Sequence, residues 1–227
     1  EFTYGCAQNW FIQGVELSKN GAQGIRISDY CTLYQVTAYG HNVSNVGMDR
    51  CVGGMVHSCT LDAGGLNPAS GAYSNGACMK ITGHNGSEFR TQVLPAGVTR
   101  AKAPLKIVST NMAATHAGVT GTAQSGLWMD LDCQQVEVYG GTYANNAWCG
   151  IMTEGANNTH MTGLTIDNPD GYSTGAGGAG EDFLLGALTI AESTNVTVEN
   201  YTITNSVRAV IVRQSNRSAD WFNANNS

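Results

Sequence analysis

Apolar and polar residues alternate with a period of two in short stretches along most of the chain. Each stretch opens on a small residue: Gly24-Ile-Arg-Ile, Gly47-Met-Asp-Arg, Gly76-Ala-Cys-Met-Lys-Ile, Gly126-Leu-Trp-Met-Asp, Gly150-Ile-Met-Thr-Glu, Ala187-Leu-Thr-Ile and Ala209-Val-Ile-Val-Arg. This alternation predicts strands rather than helices. The openings lie 23, 29, 50, 24, 37 and 22 residues apart, so three of six spacings are 22 to 24 and the others read as that period with an insertion. A second strand follows, as in Thr32-Leu-Tyr-Gln-Val-Thr, Gln135-Val-Glu-Val-Tyr, His160-Met-Thr-Gly-Leu-Thr-Ile and Asn195-Val-Thr-Val-Glu-Asn-Tyr-Thr-Ile. Gly and Asn punctuate the turns. Asn20, Asn42, Asn146, Asn168 and Asn205 precede the next strand and predict an internal amide ladder.

A unit this short cannot bury its own apolar face and must stack on its neighbours. The expected fold is all-β, a right-handed parallel β-helix of about six to seven coils. The chain reads as one domain over residues 1–227, with insertions at about 83–125 and 168–183. A leucine-rich repeat lacks its frame here, and a β-sandwich does not explain the 24-residue self-similarity. The first segment, "WFIQGVELSKNG", matches a second strand with no first strand before it. The expectation is therefore a longer chain, or an oligomer or end-to-end partner that covers an uncapped coil.

Composition narrows the partners. The net charge is −6 with no Lys/Arg cluster, which argues against nucleic acid. No apolar run is long enough to span a membrane. Seven cysteines occur, at 6, 31, 51, 59, 78, 133 and 149, and none has CxxC spacing. Cys51 and Cys78 fall close enough on neighbouring coils to be weighed as a disulfide, against buried thiols packed as small apolar residues. Seven glycosylation sequons stand at Asn42, Asn85, Asn157, Asn195, Asn200, Asn216 and Asn225. Chance gives roughly three, so the count points to a secreted or extracellular glycoprotein.

Aligning the strands by their opening residue places Lys80, Asp130 and Glu154 in one outward column, with Trp128 beside it and Asp132 two residues on. Adjacent rungs are about 5 Å apart. A charged cross-strand ladder is one reading. Paired acids for glycoside hydrolysis, Asp130 and Glu154, are another. An exposed Trp128 suits a sugar face, unless it lies under an insertion. The 83–125 insertion would wall the face, with Arg100 and His116 as further base or acid/base candidates lining the substrate. His41 and His57, at strand ends, read as structural.

The phrases Gly126-Leu-Trp-Met-Asp and Gly150-Ile-Met-Thr-Glu, joined by "QQVEVYGGTYANN", together with "NGACMKI" (Asn75 to Ile81), resemble the parallel β-helix proteins of the pectate-lyase-like superfamily over roughly residues 10–213. That resemblance implies a secreted polysaccharide lyase acting on uronic acids. Ca²⁺ on Asp130, Asp132 and Glu154 would neutralise the uronate, and Lys80 or a nearby Arg would abstract the α-proton. The same superfamily includes hydrolases, epimerases, phage tailspikes and proteins with no known function, so fold does not decide function. The alternative expectation is a non-catalytic structural or receptor-binding β-helix of a cell surface, extracellular filament or phage tailspike.

Overall fold

The structure is a computed structural model that describes residues 9–18, 23–27, 29–49, 51–64, 76–84, 103–113, 125–130, 132–146, 149–167, 186–206 and 208–213. Among the described residues every regular element is a β-strand, and the chain winds in seven coils of three strands. The coils run β1 (Phe11–Gln13), β2 (Glu16–Ser18), β3 (Gln23–Ile27); β4 (Thr32–Tyr34), β5 (Thr37–Tyr39), β6 (Ser44–Asp49); β7 (Met55–His57), β8 (Thr60–Asp62), β9 (Ala77–Thr82). They continue with β10 (Leu105–Val108), β11 (Asn111–Ala113), β12 (Ser125–Asp130); β13 (Val136–Tyr139), β14 (Thr142–Ala144), β15 (Cys149–Glu154). The last two are β16 (Asn157–Thr162), β17 (Thr165–Asp167), β18 (Leu188–Ala191), and β19 (Thr194–Glu199), β20 (Thr202–Thr204), β21 (Val210–Arg213).

Every third strand pairs in parallel, giving three seven-stranded sheets that open with β1, β2 and β3. This is a parallel β-helix. Inward residues stack by type: Leu33, Val56, Ile107, Val138 and Met161 from the first sheet, and Leu61, Met112, Tyr143 and Ile166 from the second. All are at 0% exposure and belong to one continuous core. No single coil has enough apolar surface to fold, so stacking supplies the stability.

Segments such as residues 32–37 and 160–166, each expected as a single second strand, are two strands meeting at a corner that recurs on each coil. One residue there takes a left-handed conformation: Gly14, Gln35, Ser58, Ser109, Gly140, Gly163 and Asn200 on successive coils, with φ from 46° to 72°. The twist points each corner amide at the next coil, so Gln35 N donates to His57 O (3.1 Å), Ser58 N to Val108 O (2.9 Å) and Ser109 N to Tyr139 O (2.7 Å). The corner amide thus carries the ladder into the bend, and the next amide, Cys59 N, donates instead to Thr110 Oγ1 at 3.4 Å.

The asparagine ladder is not continuous. Asn146 is buried and donates to Met112 O at 3.3 Å, but Asn42 is half-buried and Asn205 is exposed, donating to Asp167 Oδ1 at 2.8 Å. His41, Gly64 and Ser206 follow the corner where Asn146 stands, and Asn45 bonds Asp62 O from elsewhere on the coil. Asn20 and Asn168 lie outside the described residues. Strands β10 and β11 fall inside 83–125, so that segment is not one loop. Most of the 168–183 segment lies outside the described residues.

Six cysteines are buried thiols, and Cys51 and Cys78 form no disulfide. Register explains this: Asp49 pairs with Thr82, which carries Cys51 well past Cys78 along the coil. Several thiols close corners instead. Cys51 Sγ donates to Ile27 O (3.2 Å), Cys59 Sγ to Leu33 O (3.7 Å) and Cys133 Sγ to Ile81 O (3.1 Å), each a carbonyl of the preceding coil. Thr110 Oγ1 does the same with Val56 O at 3.3 Å. A corner accepts a small side chain with a donor, and Cys serves as well as Thr.

Candidate functional site

The predicted column lies on the third sheet. Leu127 and Met129 point into the core, so Trp128 and Asp130 point outward, as do Lys80 on β9 and Met152 and Glu154 on β15. Asp130 stands directly across from Glu154, as expected. Lys80 does not stand across from Asp130. Its partner in register is Trp128, and Asp130 faces Thr82. The offset arises because the residue aligned with Gly126 is Cys78, two positions after Gly76. Lys80 still reaches Asp130 diagonally, with Nζ 2.9 Å from Oδ2. The same ammonium lies 3.9 Å from the centroid of the Trp128 ring.

The expected exposed Trp128 is only 2% exposed. It packs with Ala77, Cys149 and Met152 in a second apolar cluster, separate from the core. Asp130 is 8% and Glu154 6% exposed, and β12 and β15 are buried along their whole length. Both faces of the third sheet are therefore buried here, as is usual for parallel sheets. Buried charges persist only when paired, and Lys80 meets that need for Asp130. A neighbouring pair, Arg26 with Asp49, continues the charge row along the same face.

Asp132 leaves the column. It sits in the corner after β12 at φ 60°, and its Oδ1 accepts from Gln134 Nε2 at 3.2 Å. Among the described residues no three His, Cys, Asp or Glu side chains gather as a metal would require, so Asp130, Asp132 and Glu154 do not form the carboxylate cage expected for Ca²⁺. Arg100 and His116 lie outside the described residues.

Cys149 completes the region. Its thiol lies 3.2 Å from Ser125 Oγ, and burial pushes its pKa up to about 12. Burial does the same to Cys78 and Cys133. A thiol so raised is no nucleophile at neutral pH.

The sequons divide by accessibility. Asn195 and Asn200 are exposed, as are their hydroxyl partners Thr197 and Thr202. Asn42 and Asn157 are half-buried, and their partners Ser44 and Thr159 are buried. Asn157 Oδ1 also accepts from Thr194 N (3.1 Å) and Thr194 Oγ1 (2.7 Å). Asn85, Asn216 and Asn225 lie outside the described residues.

Two features escaped the sequence reading. His84 is fully buried between coils, with Nδ1 2.9 Å from Gln134 O and Nε2 3.3 Å from Gly53 O. The outer face of the first sheet carries ring neighbours. Phe11 stacks on Tyr34 (centroids 6.5 Å), Tyr34 tilts against His57 (5.3 Å), and Tyr139 meets His160 edge-on (6.0 Å). Only the true register puts these rings on one face, so no local motif signals them.

No family model matches the chain, and no curated protein does. Among solved structures it is similar to a trypsin-treated variant of QnrB1, a plasmid-mediated fluoroquinolone resistance protein, at 10% identity and a TM-score of 0.21, over 96% of this chain and 95% of that one. A likeness that faint says nothing about the site. The fold itself defines the class: a parallel β-helix of seven described coils.

Proposed function

We propose that this protein is a non-catalytic, extracellular β-helix that recognises polysaccharide. The observation that carries the reading is the closure of the third-sheet column: half-buried Lys80 is held between the buried Asp130 and Trp128. A base for proton abstraction must be able to reach its proton, and this ammonium is engaged on two sides. The solenoid instead offers a rigid, regular surface. The resemblance of its repeat to pectate-lyase-like proteins supports a glycan as the ligand. The exposed sequons at Asn195 and Asn200 support an extracellular setting.

A second reading rests on the direct pairing of Asp130 with Glu154. Two carboxylates on adjacent rungs are what a glycoside hydrolase uses. Incubation with neutral and acidic polysaccharides separates the two, reading new reducing ends and the absorbance of unsaturated uronates with and without Ca²⁺. The proposal expects no product from any substrate. Product that disappears in Asp130→Ala or Glu154→Ala would overturn it in favour of catalysis at the column.

A further inference from the structure

We infer that the outer face of the first sheet is the glycan-binding surface, and that its ligand is a neutral polysaccharide lying along the helix axis. This rests on the recognition function proposed above and assigns it a place and a ligand class.

Geometry comes first. Phe11, Tyr34, His57, Tyr139 and His160 sit on coils one, two, three, five and six, all at outward positions of the first sheet. Five coil steps at about 4.8 Å make a stripe about 24 Å long. Phe11 is 61% exposed and the other four rings are half-buried, so they present faces rather than being sealed. Val108 and Met55 fill the space between them with apolar surface. Aromatic rings with polar tips suit a ligand that is apolar on one side and hydroxylated at its rim. A pyranose has that character. A polymer of such rings matches a stripe that repeats along the axis.

The backbone argues against a peptide. A peptide strand adds to an unpaired sheet edge or lies in a groove. Strands β4, β7, β10, β13 and β16 are each paired on both sides, so this face offers no edge. An extended peptide here would leave its own amides without protein partners.

Charge selects among glycans. Among the described residues on this face, Lys106 and His160 each stand beside a carboxylate. Lys106 Nζ lies 3.9 Å from Glu137 Oε2, and His160 Nε2 lies 3.0 Å from Glu199 Oε1. Tyr139 donates to Glu137 Oε2 at 2.9 Å. The face therefore carries carboxylates already matched to donors and no cation surplus for a polyuronate. A neutral chain meets no such conflict, and the carboxylates can accept from its hydroxyls.

The test is affinity gel electrophoresis of the whole chain through neutral glucan, mannan and xylan and through polygalacturonate and alginate, at low and raised salt. Wild type is expected to be retarded by at least one neutral polymer, with little effect of salt. Tyr34→Ala and Tyr139→Ala are each expected to weaken retention roughly tenfold, the scale of one lost stacking contact. Tyr139→Phe keeps the ring and is expected to keep binding. Tyr39→Ala, which alters a tyrosine of the second sheet, is the control and is expected to bind as wild type. Circular dichroism shows that each variant folds. Retardation that survives both stripe variants, or falls equally in Tyr39→Ala, removes this surface while leaving glycan recognition standing. Salt-sensitive retardation by the acidic polymers alone overturns the neutral ligand. No retardation by any polymer overturns both this inference and the recognition function.

Discussion

Lys80 Nζ lies 2.9 Å from Asp130 and 3.9 Å from the centre of the Trp128 ring, so one ammonium joins a carboxylate and an indole of the neighbouring coil. The side chains of Lys80 and Asp130 are 17% and 11% exposed, which makes this a largely desolvated pair. In such a setting the pair is sensitive to loss of one member, because the other charge is left buried and unmatched.

Lys80→Met is therefore expected to destabilise the fold by about 3 kcal/mol. The double variant Lys80→Met with Asp130→Leu is expected to recover most of that loss, since two apolar side chains replace two charges. Urea unfolding of the four proteins in a double-mutant cycle measures the coupling. A Lys80→Met protein as stable as wild type would show that the pair is only a solvated contact.

The corners make opposite demands at two positions. Gly141 has φ 99°, and a Cβ there would lie only 2.2 Å from Thr110 O, a backbone atom that cannot swing away. Gly141→Ala is expected to cost about 2–4 kcal/mol. Ser58 holds a left-handed φ of 52° with a side chain that gains nothing from it. Ser58→Gly relieves that strain and is expected to raise stability by up to about 1 kcal/mol. Thermal melting of both variants checks the pair of signs.

His84 bridges three coils. A neutral imidazole has one N–H and can donate to only one of the two carbonyls it faces, Gln134 O or Gly53 O. His84→Leu removes both contacts and is expected to cost about 2 kcal/mol, with faster hydrogen exchange at Gln134, whose amide donates to His84 O at 2.7 Å. Unchanged exchange at that amide would mean that the ring does not hold the corner.

Much of this architecture is legible in the sequence because a β-helix repeats. Apolar alternation and the Gly126-to-Gly150 phrase gave the strands, the coil and the Asp130–Glu154 rung, since those two coils have equal length in the third sheet. Register failed where a small residue was taken as the marker of the opening position. That column reads Gly24, Asn45, Cys78, Gly126, Gly150 and Ala187, so Gly47 and Gly76 each lie two positions off it. The corners at Gln35, Ser58 and Ser109 were hidden because those residues advertise no turn. The burial of Trp128 was hidden for another reason. Alternation shows which way a strand residue points, but what covers it depends on packing remote in sequence.

The buried thiols set the alkaline limit of the fold. Cys78, Cys133 and Cys149 have pKa values raised by burial from 9.0 to about 12, and Tyr143, fully buried in the core, is raised by the same cause. A raised value in the folded state means that the folded protein keeps its proton where the unfolded chain loses it. Their contribution is thus complete below about pH 9 and declines as pH rises towards 12. The urea midpoint is expected to be level near neutrality and to fall steadily above pH 9. Cys133→Ala and Cys149→Ala should each flatten that slope, since each removes one titrating group. The native protein should also resist iodoacetamide at mildly alkaline pH, while the urea-unfolded chain labels readily. A midpoint that stays level through the alkaline range, or rapid labelling of these three thiols in the native protein, would show that the corners and the third-sheet layer open to solvent.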